Sequence, residues 1–296
     1  MARKNTFQLV EENYDIPSEI RKINNLFYTK QYFSTPRGNR SFDKFLDRYL
    51  FSEWKYRDTC LDVDEYIQRA KAVIPDNEHI TLTEEQVINN LEVMENFLKL
   101  FFDNADALYD DYGIEWYTDL ETVFWHLIKI MEKRMGLTVR EYKDRIVLYP
   151  KNAPLEKVID LCDDEDVQWE LIRYVREDLP LNDKRKSLAY FATNLYIEKD
   201  DSETDEHIKQ LIRKAENILN NLHIRHNNKT GKWENKVLEG LDEKDAISLC
   251  DMVYNEMLTI VLLREHKEYD KVYTEFNKKQ KEESKAKKKA EEVKNG

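Results

Sequence analysis

The sequence predicts a mainly α-helical protein, built as two helical lobes with a small β-hairpin between them. Three observations carry this. Six glycines and six prolines in 296 residues leave little material for turns, while Leu, Glu, Lys and Asn are abundant. Two segments open with a capping-box pair and continue as apolar stripes at helical spacing. One short segment, and only one, switches to β-branched and aromatic residues interrupted by a polar pair.

Residues 1–70 hold helical stretches in "FDKFLDRYLFSEWKYRDTCLDVDEYIQRA", preceded by "TPRGN", which reads as a loop. The clearest helix begins at "LTEEQ". There Thr83 and Gln86 form a capping box, Leu82 and Val87 a hydrophobic staple, and Val87, Leu91, Met94, Leu98 and Phe101 one stripe. A second box, Thr118 with Glu121, opens a helix striped by Leu120, Phe124, Leu127 and Met131 and closed by Gly136 after Lys133 and Arg134. "LTVREYKDRIVLYPKN" follows as the hairpin, broken at Lys143 and Asp144, with Pro150 and Pro154 beyond it. Helices are then expected near 155–178, 183–198, 204–224 and 243–275. In the last of these, Ile247, Cys250, Val253, Tyr254, Met257 and Val261 share a face. The predicted domains are 1–149, a helical domain ending in the hairpin; 150–277, a second helical domain; and 278–296, a disordered or frayed Lys/Glu tail.

Composition narrows the function classes. No apolar run is read as approaching the roughly 18–20 residues that span a bilayer, and the start "MARKNTFQLVEENYD" lacks a signal-peptide core. The expected setting is the cytoplasm, with no membrane partner. Cys60, Cys162 and Cys250 are far apart and predict free thiols. The net charge of -12 argues against bulk electrostatic binding of nucleic acid, although the tail alone carries eight Lys against four Glu. With so little tail to bury, a solvated helix extension is the plain reading.

Common catalytic motifs are absent: no GxxxxGK[ST], GxGxxG, GxSxG, HExxH or CxxC occurs. The acidic run "CDDEDVQ" suits a helix N-terminus, whose dipole welcomes carboxylates, better than a cation site. His79 and His126 read as structural, and Trp54, Trp116, Trp125 and Trp169 as core, with Trp233 in a polar loop. His223 and His226 can share a helical face and a metal only if a third ligand such as Asp251 or His266 joins them.

The densest polar window is "ILNNLHIRHNNKTGKWENK", residues 218–236. As a helix end it is well made. His223, Arg225 and His226 would lie where free carbonyls favour cations, and Asn227, Asn228 and Gly231 tolerate left-handed backbone. As a site it offers a guanidinium fork for phosphate, an imidazole titrating near neutrality and amides to orient a substrate, which suffices for metal-independent RNA cleavage.

From about residue 120 to 266, the segments "FWHLIKIMEKRMGLTVREYKDRIVLYPKN", "DKRKSLAYFATNLYIEKD", "LHIRHNN" and "DAISLCDMVYNEMLTIVLLREH" resemble bacterial abortive-infection proteins whose C-terminal helical domain is related to HEPN ribonucleases. The resemblance implies a HEPN-like helical bundle, a homodimer and RNA cleavage or sensing in phage defence. Arg225 would hold phosphate, His226 act as general acid or base, and Asn227 orient substrate; no cofactor or metal is implied. The family motif is an Arg, a polar residue, and a His four to six positions beyond. Here those positions, 230 to 232, hold Thr230, Gly231 and Lys232. The competing expectation is a non-catalytic helical interaction protein, an antitoxin, adaptor or scaffold with a protein partner, in which "RHNN" is a cap.

Overall fold

A computed structural model describes residues 14–77, 79–195, 205–221 and 242–294. It is mainly helical, at 68% helix, and divides into two compact units, Met1–Lys151 and Asn152–Gly296. The division falls just after the hairpin, where Pro150 and Asn152 end the strand and start a helix.

The first unit begins with α1 (Ile16–Thr29), whose N-cap Asp15 accepts the Ser18 N–H at 3.0 Å and whose inner face is Ile20, Ile23 and Phe27. "TPRGN" is the corner of a β-hairpin, not a loop among helices. β1 (Gln31–Thr35) pairs antiparallel with β2 (Gly38–Ser41), and β3 (Glu115–Trp116) adds to the free edge of β1. Gly38 sits at φ +100, and Thr35 Oγ1 donates to the Gly38 carbonyl at 2.7 Å, which closes the turn. The expectation that strand stays within the later hairpin is thus corrected. α2 (Phe42–Tyr49) and α3 (Val63–Arg69) follow.

α4 (Glu84–Asp103) is the axis of the unit. The capping box forms in both directions: Gln86 N–H donates to Thr83 Oγ1 at 3.1 Å, and the Thr83 N–H to Gln86 Oε1 at 3.0 Å. Phe97 and Phe101 on this helix are fully buried among Phe27, Phe33, Phe42 and Phe45, with Phe27 stacked on Phe97 at 5.9 Å. Losing any one of these rings would cost about 3–5 kcal/mol. α5 (Ala105–Tyr112) ends at Gly113 in left-handed backbone.

The second predicted capping box does not form. Thr118 contributes its carbonyl to the Glu121 and Thr122 N–H groups, and Leu120–Trp125 winds as a π-helix before α6 (His126–Met135). The wider turn moves the face by a residue. Leu120, Phe124, Ile128 and Met131 are buried, whereas Trp125 and His126, expected in the core, are exposed. Gly136 ends α6 at φ +63 as predicted.

β4 (Leu137–Tyr142) and β5 (Arg145–Pro150) are the predicted hairpin. Lys143 and Asp144 both have positive φ, 47 and 61, the pattern of a two-residue turn that matches strand twist. α4 covers β5. Asn96 donates to the Ile146 carbonyl at 2.8 Å and accepts its N–H at 2.9 Å, and Glu92 accepts the Leu148 N–H at 2.8 Å, so side chains act as a missing strand.

In the second unit, α7 (Ala153–Leu161) is capped by Asn152, and α8 (Glu165–Arg176) by Asp164, which accepts from the Asp166 and Val167 N–H groups. The acidic run is therefore a helix start. It also splits the single helix expected over 155–178. α9 (Leu181–Asn194), α10 (Glu206–Asn221) and α11 (Glu243–Lys294) complete the unit. α11 packs on α7, α9 and α10 through a face that includes Cys250, Val253, Tyr254, Met257 and Ile260, all buried. By length and composition Glu243–Lys267 is apolar enough to cross a bilayer, and this packed face lies within it. α11 continues as helix through the Lys/Glu stretch to Lys294, the segment read from the sequence as a solvated helix extension or a disordered or frayed tail. Cys60, Cys162 and Cys250 are free thiols, as expected.

Candidate functional site

Arg225, His226 and Asn227 lie outside the described residues, as do His223 and Trp233. The structure describes the helices on either side of them. α10 buries Ile208, Ile212, Ala215 and Leu219 along one face and packs against α11, and Lys214 of α10 pairs with Glu256 of α11. The window thus connects two helices that share an apolar seam, an arrangement the striped sequence of both requires.

Beside that seam is a polar cluster that the sequence does not announce. Lys184 of α9 donates to Asp251 Oδ1 of α11 at 2.6 Å, and the Tyr174 hydroxyl of α8 donates to the same oxygen at 3.1 Å. The Lys184 ammonium also lies 4.5 Å from the centre of the Tyr174 ring, on which Tyr254 stacks at 4.3 Å. Tyr254 in turn donates to the Leu171 carbonyl at 3.1 Å. The Lys184 side chain is 9% exposed and that of Asp251 46%, so the carboxylate forms the open mouth of an otherwise enclosed cation.

A second set lies on α8 and α9. Arg173 grips Glu170 through two hydrogen bonds of 2.9 and 2.6 Å, and the buried Ser187 hydroxyl donates to Glu170 Oε1 at 2.5 Å. Burial alone would raise the Glu170 pKa, yet the donors outweigh it and hold the carboxyl below its ordinary value. Burial pushes the Tyr174 phenol up, reinforced by Asp251, and pushes the Cys250 thiol up to about 11, also reinforced by Asp251. Neither is a nucleophile at neutral pH. The chemistry open to this cluster is positional: it fixes α8, α9 and α11 in register and presents a carboxylate, with a cation behind it, to solvent.

Among the described carboxyls of the first unit, that of Glu132 is strongly perturbed. Glu132 on α6 and Glu95 on α4 are both buried and face each other across Lys129, whose Nζ is 2.7 Å from Glu95 Oε1 and 3.1 Å from Glu132 Oε2. Burial, and then the Glu95 charge, push the Glu132 carboxyl up to about 8. Burial would lower Lys129, but its two carboxylate partners hold it above the ordinary lysine value. The pair is sealed between helices and lines none of the clefts described in this unit. Among the described residues no group of three or more His, Cys, Asp or Glu side chains is placed to hold a metal ion. Asp251, one candidate third ligand for His223 and His226, is engaged by Lys184 and Tyr174 instead.

Comparison with protein-family models, with curated protein sequences and with solved structures yields no match to this chain. The residue patterns and the geometry therefore carry the functional reading by themselves. Sequence reasoning missed the Lys184–Asp251–Tyr174 cluster because its members are 67 and 77 positions apart. The available signal was a lysine one helical turn before Leu188 and two before Phe191, on the buried face of its helix.

Proposed function

We propose that the protein engages RNA through its second unit, as a HEPN-like RNA-cleaving or RNA-sensing protein of phage defence in the cytoplasm. The observation that supports this reading is the helical second unit, whose helices α10 and α11 pack together on either side of residues 222–241, the stretch with Arg225, His226 and Asn227. A helical bundle is what the resemblance requires of this part of the chain. Arg225 supplies fixed charge for a phosphate, His226 a proton donor or acceptor, and Asn227 an orienting amide. A homodimer is part of the same proposal.

The test is RNA integrity in cells expressing the protein. Degraded RNA with wild type, and intact RNA with Arg225→Ala or His226→Ala at equal expression, supports cleavage. His223→Ala is the internal comparison, because it changes a neighbouring histidine to which no catalytic role is given.

A second reading, a non-catalytic interaction protein such as an antitoxin, adaptor or scaffold, is favoured by two specific observations. Thr230, Gly231 and Lys232 stand where the family's His would be, and the titratable groups of the described polar cluster are spent on one another. In that case RNA stays whole, all three alanine variants behave alike, and the protein is recovered with a stoichiometric partner.

A further inference from the structure

The first unit carries a cleft of about 450 Å³ walled by α1, by α3 and by residues 73–76. Its charged lining is of one sign. Asp64 and Asp76 contribute carboxylates, and no Lys, Arg or His lines it. Asp64 accepts the Tyr28 hydroxyl at 3.0 Å, and neither aspartate has an ion-pair partner among the described residues. Two carboxylates without an ion-pair partner among the described residues, set in a concave wall, attract cations and repel anions.

Asn24 makes the cleft more than an acidic patch. It lines the cleft, yet it is only 7% exposed. Its orientation is fixed from the core side. Asn90 Nδ2 lies 2.7 Å from the Ala72 carbonyl, which can only accept, so that atom is the amide nitrogen. The same nitrogen is 3.3 Å from Asn24 Oδ1, which must therefore be the oxygen. Asn24 Nδ2 is left without a protein partner among the described residues, and Asn24 is one of the residues that line the acidic cleft. The wall opposite is pinned: Arg21 donates to the Pro75 carbonyl at 3.2 Å and to the Ile80 carbonyl at 2.7 Å, which holds the segment after α3 against α1.

The three groups define a ligand. A bare divalent metal would meet the positive end of the Asn24 amide, and a carboxylate or phosphate would meet Asp64 and Asp76. We propose that this cleft binds a basic side chain together with a neutral amide carbonyl, the ammonium or guanidinium against Asp64 and Asp76 and the carbonyl accepting from Asn24 Nδ2. Arginine or lysine within amide linkage has this chemistry, as a small amide or as part of a polypeptide. The proposal concerns the first unit alone and is independent of any action on RNA.

Calorimetric titration of the full chain tests it with four probes: N-acetylarginine amide, a Gly-Arg-Gly peptide blocked at both ends, agmatine, and N-acetylcitrulline amide. The first two should bind saturably. Agmatine, which keeps the cation and lacks the carbonyl, should bind several-fold more weakly, and neutral citrulline should not bind. The peptide binding about tenfold tighter than the amide assigns the site to a polypeptide; equal binding assigns it to a small molecule. The surface variant Asp64→Asn/Asp76→Asn should lose about tenfold or more, the loss expected for removing hydrogen bonds to a charged group. Asn24→Ala should abolish the preference for the amide over agmatine. The proposal is overturned if wild type binds no arginine amide at millimolar concentration, if citrulline binds as well as arginine, if the double variant with unchanged circular dichroism binds normally, or if calcium or inorganic phosphate alone binds there.

Discussion

Replacing Glu132 by glutamine should flatten the pH dependence of stability of the first unit. The Glu132 carboxyl is enclosed between α4 and α6 with Glu95 and Lys129, and its pKa stands at about 8 against an ordinary 4.5. A carboxyl raised on folding holds a proton that the unfolded chain has already released. Its stabilising contribution is therefore complete below about pH 4.5 and is lost as the pH rises through about 8. Between about pH 6 and about pH 9 the loss amounts to about 2–3 kcal/mol, at about 1.4 kcal/mol for each tenfold change in proton affinity. For a unit of this size that is a fall of about 5–10 °C in melting temperature. In the Glu132→Gln variant the new side-chain amide cannot ionise and its N–H₂ group can donate to Glu95, while Lys129 keeps Glu95 at 2.7 Å. Calorimetric melting of wild type and Glu132→Gln across this pH range reads the difference directly. The reasoning is refuted if the variant shows the same slope as wild type, or if it is the less stable of the two at about pH 9, where the wild-type pair carries its full like-charge repulsion.

Three further predictions follow from local geometry. Lys184→Met should change stability by less than about 1 kcal/mol, because it removes a buried cation and leaves a half-exposed carboxylate, whereas Asp251→Ala should cost about 2–3 kcal/mol by stranding the Lys184 ammonium; denaturant titration distinguishes the two. Lys143→Asn should raise the melting temperature by a few degrees, since asparagine tolerates the left-handed backbone at φ 47 better than lysine, for a gain of about 0.5–1 kcal/mol. Deletion of residues 278–296 should leave the thermal midpoint nearly unchanged, since this Lys/Glu stretch offers little apolar surface to bury.

What the sequence disclosed depended on how local the determinant was. The Thr83–Gln86 box, the Gly136 cap and the Lys143–Asp144 turn are each written in four or fewer consecutive residues, and each appears where expected. The first hairpin escaped because β2, "GNRS", has no apolar alternation, and because the register slips between Gln31 and Phe33. Trp125 and His126 differ for another reason: helical periodicity assumes an α-helical turn, and the π-helical turn over Leu120–Trp125 leaves both exposed and buries Ile128 in place of Leu127, while Met131 stays buried as the stripe expects. The break at Cys162–Asp164 shows the opposite case. The acidic run suits a helix start, as the structure has it, yet the helix that periodicity predicts over 155–178 runs through it, where the chain breaks between α7 and α8. The polar cluster of α8, α9 and α11 and the Asn24–Asn90 amide relay depend on residues more than 60 positions apart, and no window of sequence brings them together.

Purified protein incubated with single-stranded RNA, in chelator and again with magnesium, tests the central claim most directly. The account predicts cleavage in both conditions, lost in Arg225→Ala and in His226→Ala and retained in His223→Ala, with melting temperatures within a few degrees of wild type, since even the helix-end charge that the sequence pattern suggests is worth up to about 1 kcal/mol. RNA left intact by wild type in both conditions, or equal activity in all three variants, would contradict it.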